Sequence, residues 1–459
     1  MHDPGRVIII GAGPTGLAAA HRLHEFGHQD FLILDPRPTP GGLASSYVDE
    51  YGFTWDIGGH VQFSHYETYD RLLDTAVPQG WINHRRSAWI WFKKRFVPYP
   101  FQNNLRYLDE QDRERCLQGL EAAIVGRSGG EARNFKEWLE DTFGYGIAEA
   151  VLHPLNLKTW GYPLDQLSKN WIGDRVAVPD LKLLRSQIVE CEDDDRWGPN
   201  RIFRYPMRGG TGAIWAGVAS LIPEKHLHLG SAAVTEVNER EKIVRCGNQA
   251  TYPWDTLIST MPLDILCASV PTLPTSCRLA AEELKHNSIH ILGFGLKGNL
   301  PECLKGKSWM YFPMSNSPYS RITALSNYSP HMTPQGPGYW SLMVEVCESP
   351  FKPVNEKALI EDVLHALRED LLITSESRII SVWHRREEYS YPIPTLNRDN
   401  ALQAIMIELE KQNIFSRGRF GGWKYEVSNQ DHSAMQAIEL IDRLLLGHPE
   451  TIYRHKEIG

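Results

Sequence analysis

The chain turns abruptly from polar to apolar at Val7-Ile8-Ile9-Ile10, a run of β-branched residues with no polar position among them. Such a run predicts a strand buried on both faces. Gly11-Ala12-Gly13-Pro14-Thr15-Gly16 follows at once, then Leu17-Ala18-Ala19-Ala20-His21-Arg22-Leu23, which reads as a helix, then a second strand, Phe31-Leu32-Ile33-Leu34, ending in Asp35. Further on the pattern is coarser. From about Tyr107 to Val189, apolar residues recur at spacings of three and four (Cys116, Leu117, Leu120; Phe135, Trp138, Leu139, Phe143) and predict helices. From Ile289 to Val382 the pattern predicts a β-rich region, with Ile289–Leu296 and Tyr339–Val346 as strands. A last helix is predicted from about Ser433, with Asn429-Gln430-Asp431-His432 at its N-terminus.

Strand, glycine turn, helix, strand and terminal acid together form a dinucleotide-binding fingerprint. Gly11, Gly13, Thr15 and Gly16 allow a tight turn and close approach of a pyrophosphate, the helix N-terminus offers N–H donors, and Asp35 can accept from ribose hydroxyls. The spacing alone does not choose between NAD and FAD. A second glycine pair, Pro40-Gly41-Gly42-Leu43, and then Gly58-Gly59-His60, let backbone approach a cofactor again, and this arrangement resembles flavoproteins of the amine oxidase and protoporphyrinogen oxidase superfamily. The similarity implies FAD. Val234-Thr235-Glu236-Val237 and Thr256-Leu257-Ile258-Ser259 look like two strands returning to that flavin domain, and the polar N-terminus of the last helix would face the flavin ring. The predicted fold class is α/β. A discontinuous Rossmann-like FAD-binding domain (1–95, 200–265 and 415–459) is joined by a helical domain (96–199) and an antiparallel β-sheet substrate domain (266–414).

Composition then removes alternatives. The 459 residues carry 48 Lys plus Arg against 56 Asp plus Glu, a formal charge of -8, which argues against nucleic acid as a partner. No uncharged apolar run approaches the ~18 residues a membrane span needs, and Met1-His2-Asp3-Pro4-Gly5-Arg6 offers no signal segment. Seven scattered cysteines without a Cys-x-x-Cys pair fit neither a disulfide framework nor a zinc site, so a reducing cytoplasm is expected. Glu192-Asp193-Asp194-Asp195 reads as a solvated loop, and no metal is predicted.

Several longer stretches carry a closer resemblance. They are Gly58-Gly59-His60-Val61-Gln62-Phe63-Ser64-His65-Tyr66, Pro98-Tyr99-Pro100-Phe101-Gln102-Asn103-Asn104, Trp197-Gly198-Pro199-Asn200, Ser326-Asn327-Tyr328-Ser329-Pro330, His384-Arg385-Arg386 with Tyr391-Pro392-Ile393-Pro394, and Gly418-Arg419-Phe420-Gly421-Gly422-Trp423-Lys424-Tyr425-Glu426. In this order they resemble the UDP-galactopyranose mutase family, in its eukaryotic, fungal-type branch, from about Arg6 to Leu446. Gln62 and Leu157 depart from that pattern, which has an apolar residue and a Phe there, and much of an insertion around Pro330 to Gly338 is missing.

The resemblance implies a redox-neutral pyranose–furanose isomerase. Reduced flavin N5 would act as the nucleophile at the anomeric carbon, with NADPH or NADH as reductant. It implies Arg175, Arg321 and His60 as catalytic residues. It implies Gly42, Leu43, Gly58, Gly59, His60, Val234, Arg419, Asn429 and Gln430 as flavin contacts beyond the fingerprint, and Tyr99 with Gln102 as the uridine site. Tyr311, Tyr328, Tyr391 and Tyr425 would bind the diphosphate or shape the pocket. Phe63, Asn156, Trp160, Asn200, Trp309 and Asn429 would also contact the substrate. A sister mutase acting on another nucleotide sugar, a flavin oxidoreductase of the amine oxidase superfamily and a non-catalytic sugar-nucleotide sensor stay open, as does homo-oligomerisation.

Overall fold

The structure is a computed structural model that describes residues 2–126, 131–191, 193, 198–231 and 233–453. Glu192, Asp194 and Asp195 of the acidic run, and Trp197 of one quoted motif, lie outside the described residues. Asp193 is paired with Arg106 and accepts from the Tyr107 hydroxyl.

The first strand, Val7–Ile10, sits at the centre of a five-stranded parallel sheet in the order Ile414–Ser416, Thr256–Ser259, Val7–Ile10, Phe31–Asp35, Leu227–Leu229. Alternate residues bury on opposite faces. Val7 and Ile9 pack under the helices Pro14–Glu25 and Gln430–Leu446, whereas Ile8 and Ile10 pack under the helix Arg398–Glu410. A strand covered on both sides needs an unbroken apolar run, and the sequence supplies one.

Of the two strands expected to return to the flavin domain, Thr256–Ser259 joins this parallel sheet. Val234–Asn238 is a strand too, but it pairs antiparallel with Ile243–Cys246, which pairs with Thr251–Pro253, in a separate three-stranded sheet. The edge position is taken by Leu227–Leu229. The physical reason is alternation. Along the partner strand, Val244 and Cys246 are buried while Ile243 and Arg245 are only half-buried, a pattern that suits a sheet with one wet face.

The second large element is a seven-stranded sheet in the order Arg378–Ile393, Lys285–Lys297, Tyr339–Glu348, Arg321–Thr323, Trp309–Tyr311, Ala88–Phe92, Arg95–Pro98. All its pairs are antiparallel except Trp309–Tyr311 with Ala88–Phe92. The sheet therefore reaches back into residues 88–98, so the boundary expected at residue 95 falls inside a hairpin of this sheet. Leu292, Phe294, Val344 and Val346 face a helix absent from the β-rich reading, Glu356–Glu369. On the other face, Gly293 and Gly295 lie directly over Trp55 and Phe53: a Cβ on either would approach a ring atom to 2.5 and 2.4 Å.

The helical region contains Glu110–Gly126, Phe135–Ile147, His153–Trp160 and Leu181–Glu190, packed around Phe135, Leu139, Phe143, Trp160 and Trp171. The last helix begins at Gln430 with Asn429 as its cap residue, one turn earlier than its apolar pattern indicates. Among the described residues no helix is long and apolar enough to cross a membrane.

Candidate active site

A cavity of about 1340 Å³ runs from the glycine turn of the parallel sheet to the open face of the seven-stranded sheet. At the first end, Pro14 starts a helix whose N-terminal amides receive no side-chain cap, which suits an anion. Gly16 fixes that helix against the strand: a Cβ there would lie 1.9 Å from the Gly11 carbonyl oxygen. Gly42 faces Gly13 so closely that a Cβ on Gly42 would come within 3.3 Å of the Gly13 Cα. Asp35, buried at the strand end, accepts from the Ala12 and Arg37 amides, both at 2.7 Å. Arg37 in turn donates to the Gly42 carbonyl and to Glu387. Two glycine turns and an oriented acid thus make a narrow cradle of backbone donors.

Midway, Gly58 (φ +84°), Gly59 and His60 form a tight turn over the end of the seven-stranded sheet. Gly59 packs closely on the sheet: a Cβ there would sit 3.0 Å from Thr323 Oγ1 and 3.4 Å from Arg321 Cζ. Burial, then the charges of Arg419 and Arg321, pull the His60 imidazole down to about 3, so it is neutral at physiological pH. Its Nδ1 and the Gln62 Nε2 are enclosed without a hydrogen-bond partner, although Gln62 Oε1 accepts from Tyr69 at 2.7 Å. Such orphaned groups cost ~1–3 kcal/mol each unless an occupant meets them, which fits a polar cofactor here.

At the far end the register of two antiparallel ladders does the positioning. Tyr311 pairs with Arg321, and Arg321 with Glu345, so the three side chains stand abreast on one face. Glu345 takes Arg321 in a bidentate pair, Nε to Oε1 at 2.8 Å and Nη2 to Oε2 at 2.7 Å, and Oε1 also accepts from the Gly59 amide at 2.9 Å. Burial alone would lower the Arg321 pKa. Glu345 outweighs it and holds the guanidinium well above its ordinary value.

An aromatic wall closes the helical side: Trp160 meets Tyr425 at 4.8 Å and Tyr391 at 5.8 Å between ring centroids. Asn287, at a register break in its strand, ties this wall together by accepting from the Tyr391 amide and donating to the Trp160 carbonyl. Arg175 donates to the Glu426 carbonyl and lies over the Tyr425 ring, and Arg419 donates to Ser390 and Ser428 beneath Tyr391. Burial raises the phenols of Tyr99, Tyr311 and Tyr328, and pushes Tyr391 up to about 12, so all four are protonated donors. Gln102 is oriented by a 2.7 Å bond to the Ala177 carbonyl, Asn156 by Leu152, and Asn200 by Arg86.

Of the candidate residues read from the sequence, the cavity gathers Gly11, Gly13, Thr15, Asp35, Gly42, Leu43, Gly58, Gly59, His60, Phe63, Tyr99, Gln102, Asn156, Trp160, Arg175, Asn200, Trp309, Tyr311, Arg321, Tyr328, Tyr391, Arg419, Tyr425, Asn429 and Gln430. Gly16 stands behind the turn rather than in the wall. Val234, in the three-stranded sheet, is not part of the cavity wall but packs against the same apolar cluster as Ile10, Leu34 and Leu43 behind the cradle. Glu345, Arg37 and Glu387 are wall residues that sequence reasoning missed. Glu345 had a signal, a lone acid inside the apolar run Leu342-Met343-Val344-Glu345-Val346, but no sequence spacing names its partner. His65, Asp431 and His432 bring ligating atoms within 4.8 Å of one another. Their geometry is already a hydrogen-bonded triad, with Asp431 bound to both rings at 2.9 Å.

Comparison with known proteins bears on what fills this cavity. Residues 14–410 match the family described as flavin containing amine oxidoreductase. A solved structure of reduced UDP-galactopyranose mutase superposes with a TM-score of 0.94 at 43% identity, covering 96% of this chain and 94% of that one. A fatty acid isomerase from P. acnes shares the fold alone, at 13% identity and a TM-score of 0.66 over 96% of this chain and 99% of that one. Among curated proteins, 70 residues are 36% identical to a 15-cis-phytoene desaturase of Arabidopsis thaliana and 68 residues are 40% identical to a zeta-carotene desaturase of Zea mays. Each match covers 15% of this chain and only 12% of the relative's length. A flavin family together with a dinucleotide cradle makes the cofactor FAD rather than NAD. With the family match spanning most of its length and 43% identity across nearly all of it, the chain belongs to the flavin-containing amine oxidoreductases and, within them, to the UDP-galactopyranose mutases.

Proposed function

We propose that the protein is an isomerase that interconverts UDP-galactopyranose and UDP-galactofuranose on bound FAD. The observation that supports this best is the meeting, in one cavity, of the flavin cradle with Arg175, Arg321 and the phenols of Tyr99, Tyr311, Tyr328, Tyr391 and Tyr425. The conversion needs the anomeric bond broken, the ring opened and a different hydroxyl used to close it, with no net oxidation. FAD, when bound and reduced by NADPH or NADH, supplies a nucleophilic N5 for the anomeric carbon, and the protein itself then needs no nucleophile.

The remaining work falls to side chains. Arg321 and Arg175 neutralise the diphosphate as its bridging oxygen gains charge, and arginine's fork suits two oxygens at once. The protonated phenols of Tyr311, Tyr328 and Tyr391, together with the Tyr425 side chain, donate to the remaining phosphate oxygens or close the pocket around them. Tyr99 stacks on the uracil and Gln102 reads its edge. Phe63, Asn156, Trp160, Asn200, Trp309 and Asn429 surround the sugar, where the Trp160–Tyr391–Tyr425 wall keeps water from the opened ring. His60, held neutral, contributes a hydrogen bond beside the flavin rather than an acid.

The base specificity gives the test. Free UDP should compete with UDP-galactopyranose, and GDP should compete roughly 5- to 150-fold less well, because a wrong base leaves Gln102 unpaired at ~1–3 kcal/mol. Inhibition constants for the two nucleotides measure this directly, and equal values would overturn the assignment of the uridine end.

A further inference from the structure

We propose that Glu345 is a positioning residue that weakens ground-state binding at the diphosphate clamp so that Arg321 acts chiefly in the transition state. The proposal rests on the reading of Arg321 as a diphosphate ligand. Cross-strand register sets Glu345 beside Arg321, and its side chain is only 4% exposed. Its carboxylate already holds two of the three guanidinium nitrogens, Nε and Nη2. It is also pinned from behind by the Gly59 amide, so it cannot swing away. Glu345, Arg321 and Gly59 all line the same cavity.

An incoming diphosphate therefore meets an arginine whose charge is already matched, next to a fixed negative group in an enclosed site where like charges repel strongly. It binds less well than it would to a free arginine. As the anomeric C–O bond breaks, the phosphate oxygen gains charge and competes better with the carboxylate, so more of the guanidinium interaction is realised at that moment. Interactions that strengthen only then raise turnover, whereas equally tight binding of the substrate does not.

Removing the charge should consequently separate binding from turnover. In Glu345→Gln, with FAD retained, UDP titrated against tryptophan fluorescence and flavin absorbance should bind about five- to tenfold more tightly, while kcat and KM both fall. Loss of packing alone would raise KM and shed flavin. Unchanged or weaker UDP binding in Glu345→Gln would overturn the proposal, as would a variant that folds without FAD, since the carboxylate would then serve the flavin turn. If Glu345→Gln does not fold, Glu345→Asp carries the test. Drawing the carboxylate back by one methylene should loosen its hold on Arg321 and tighten UDP by a smaller factor, and unchanged UDP binding would overturn the proposal there too. Wild-type protein that fails to bind UDP would instead overturn the functional reading itself.

Discussion

Arg321→Ala is expected to lower turnover of UDP-galactopyranose by roughly 30- to 1000-fold, the ~2–4 kcal/mol that one charged donor contributes in a closed site. It should also destabilise the fold, because Glu345 would remain as a buried carboxylate with its charge uncompensated. Breaking one side of such a pair costs about 3–5 kcal/mol. The two losses have different remedies. Glu345→Gln in the same chain should restore most of the stability, read as the urea midpoint, and none of the turnover. Arg321→Lys should keep the fold and recover only part of the rate, because an ammonium cannot span two oxygens. Full activity in Arg321→Lys, or an Arg321→Ala protein as stable as wild type, would contradict the geometry of the Arg321–Glu345 pair.

The second large effect is expected at the glycine turn. Gly16→Ala places a methyl 1.9 Å from the Gly11 carbonyl oxygen and 3.2 Å from the Ile9 side chain. The first contact is backbone, so nothing flexible can yield, and the helix Pro14–Glu25 must lift from the sheet. That strain costs at least ~1–3 kcal/mol and opens the cradle, so the purified protein should be both less stable and colourless. Gly13→Ala separates the two consequences, since its methyl would meet nothing closer than 4.0 Å. It should fold with the stability of FAD-free wild-type protein yet lose FAD, because the methyl stands where the pyrophosphate must approach. Thermal midpoints and flavin absorbance of the two variants check the pair, and a fully yellow Gly16→Ala would contradict it.

These two sites also mark what the amino-acid sequence makes legible. Gly11, Gly13, Gly16 and Asp35 are readable because their constraint is local: a tight turn and an adjacent strand end dictate residue type at fixed spacing. Arg175, Arg321 and the tyrosines are not. They come from separate segments, and nothing but resemblance distinguishes them from other arginines and tyrosines. Glu345 shows the limit most clearly, since its meaning depends on a strand register that brings residue 345 beside residues 321 and 59. The helix Glu356–Glu369 carried an i, i+4, i+7, i+8 stripe of Leu359, Val363, Ala366 and Leu367, which the long strands on either side overshadowed. Val234 lies on a strand, as read, but a short β-rich segment names a strand without naming its sheet, and the antiparallel partner Ile243–Cys246 becomes visible only in the fold.

The decisive measurement is product analysis of the FAD-loaded protein, reduced with dithionite and kept anaerobic, after incubation with UDP-galactopyranose and a panel of other nucleotide sugars. Chromatography should show UDP-galactofuranose formed from UDP-galactopyranose by the reduced protein and none by the oxidised protein. Equal conversion by both forms, or a net oxidised product with peroxide on admitting air, would contradict an isomerase that depends on the reduced flavin.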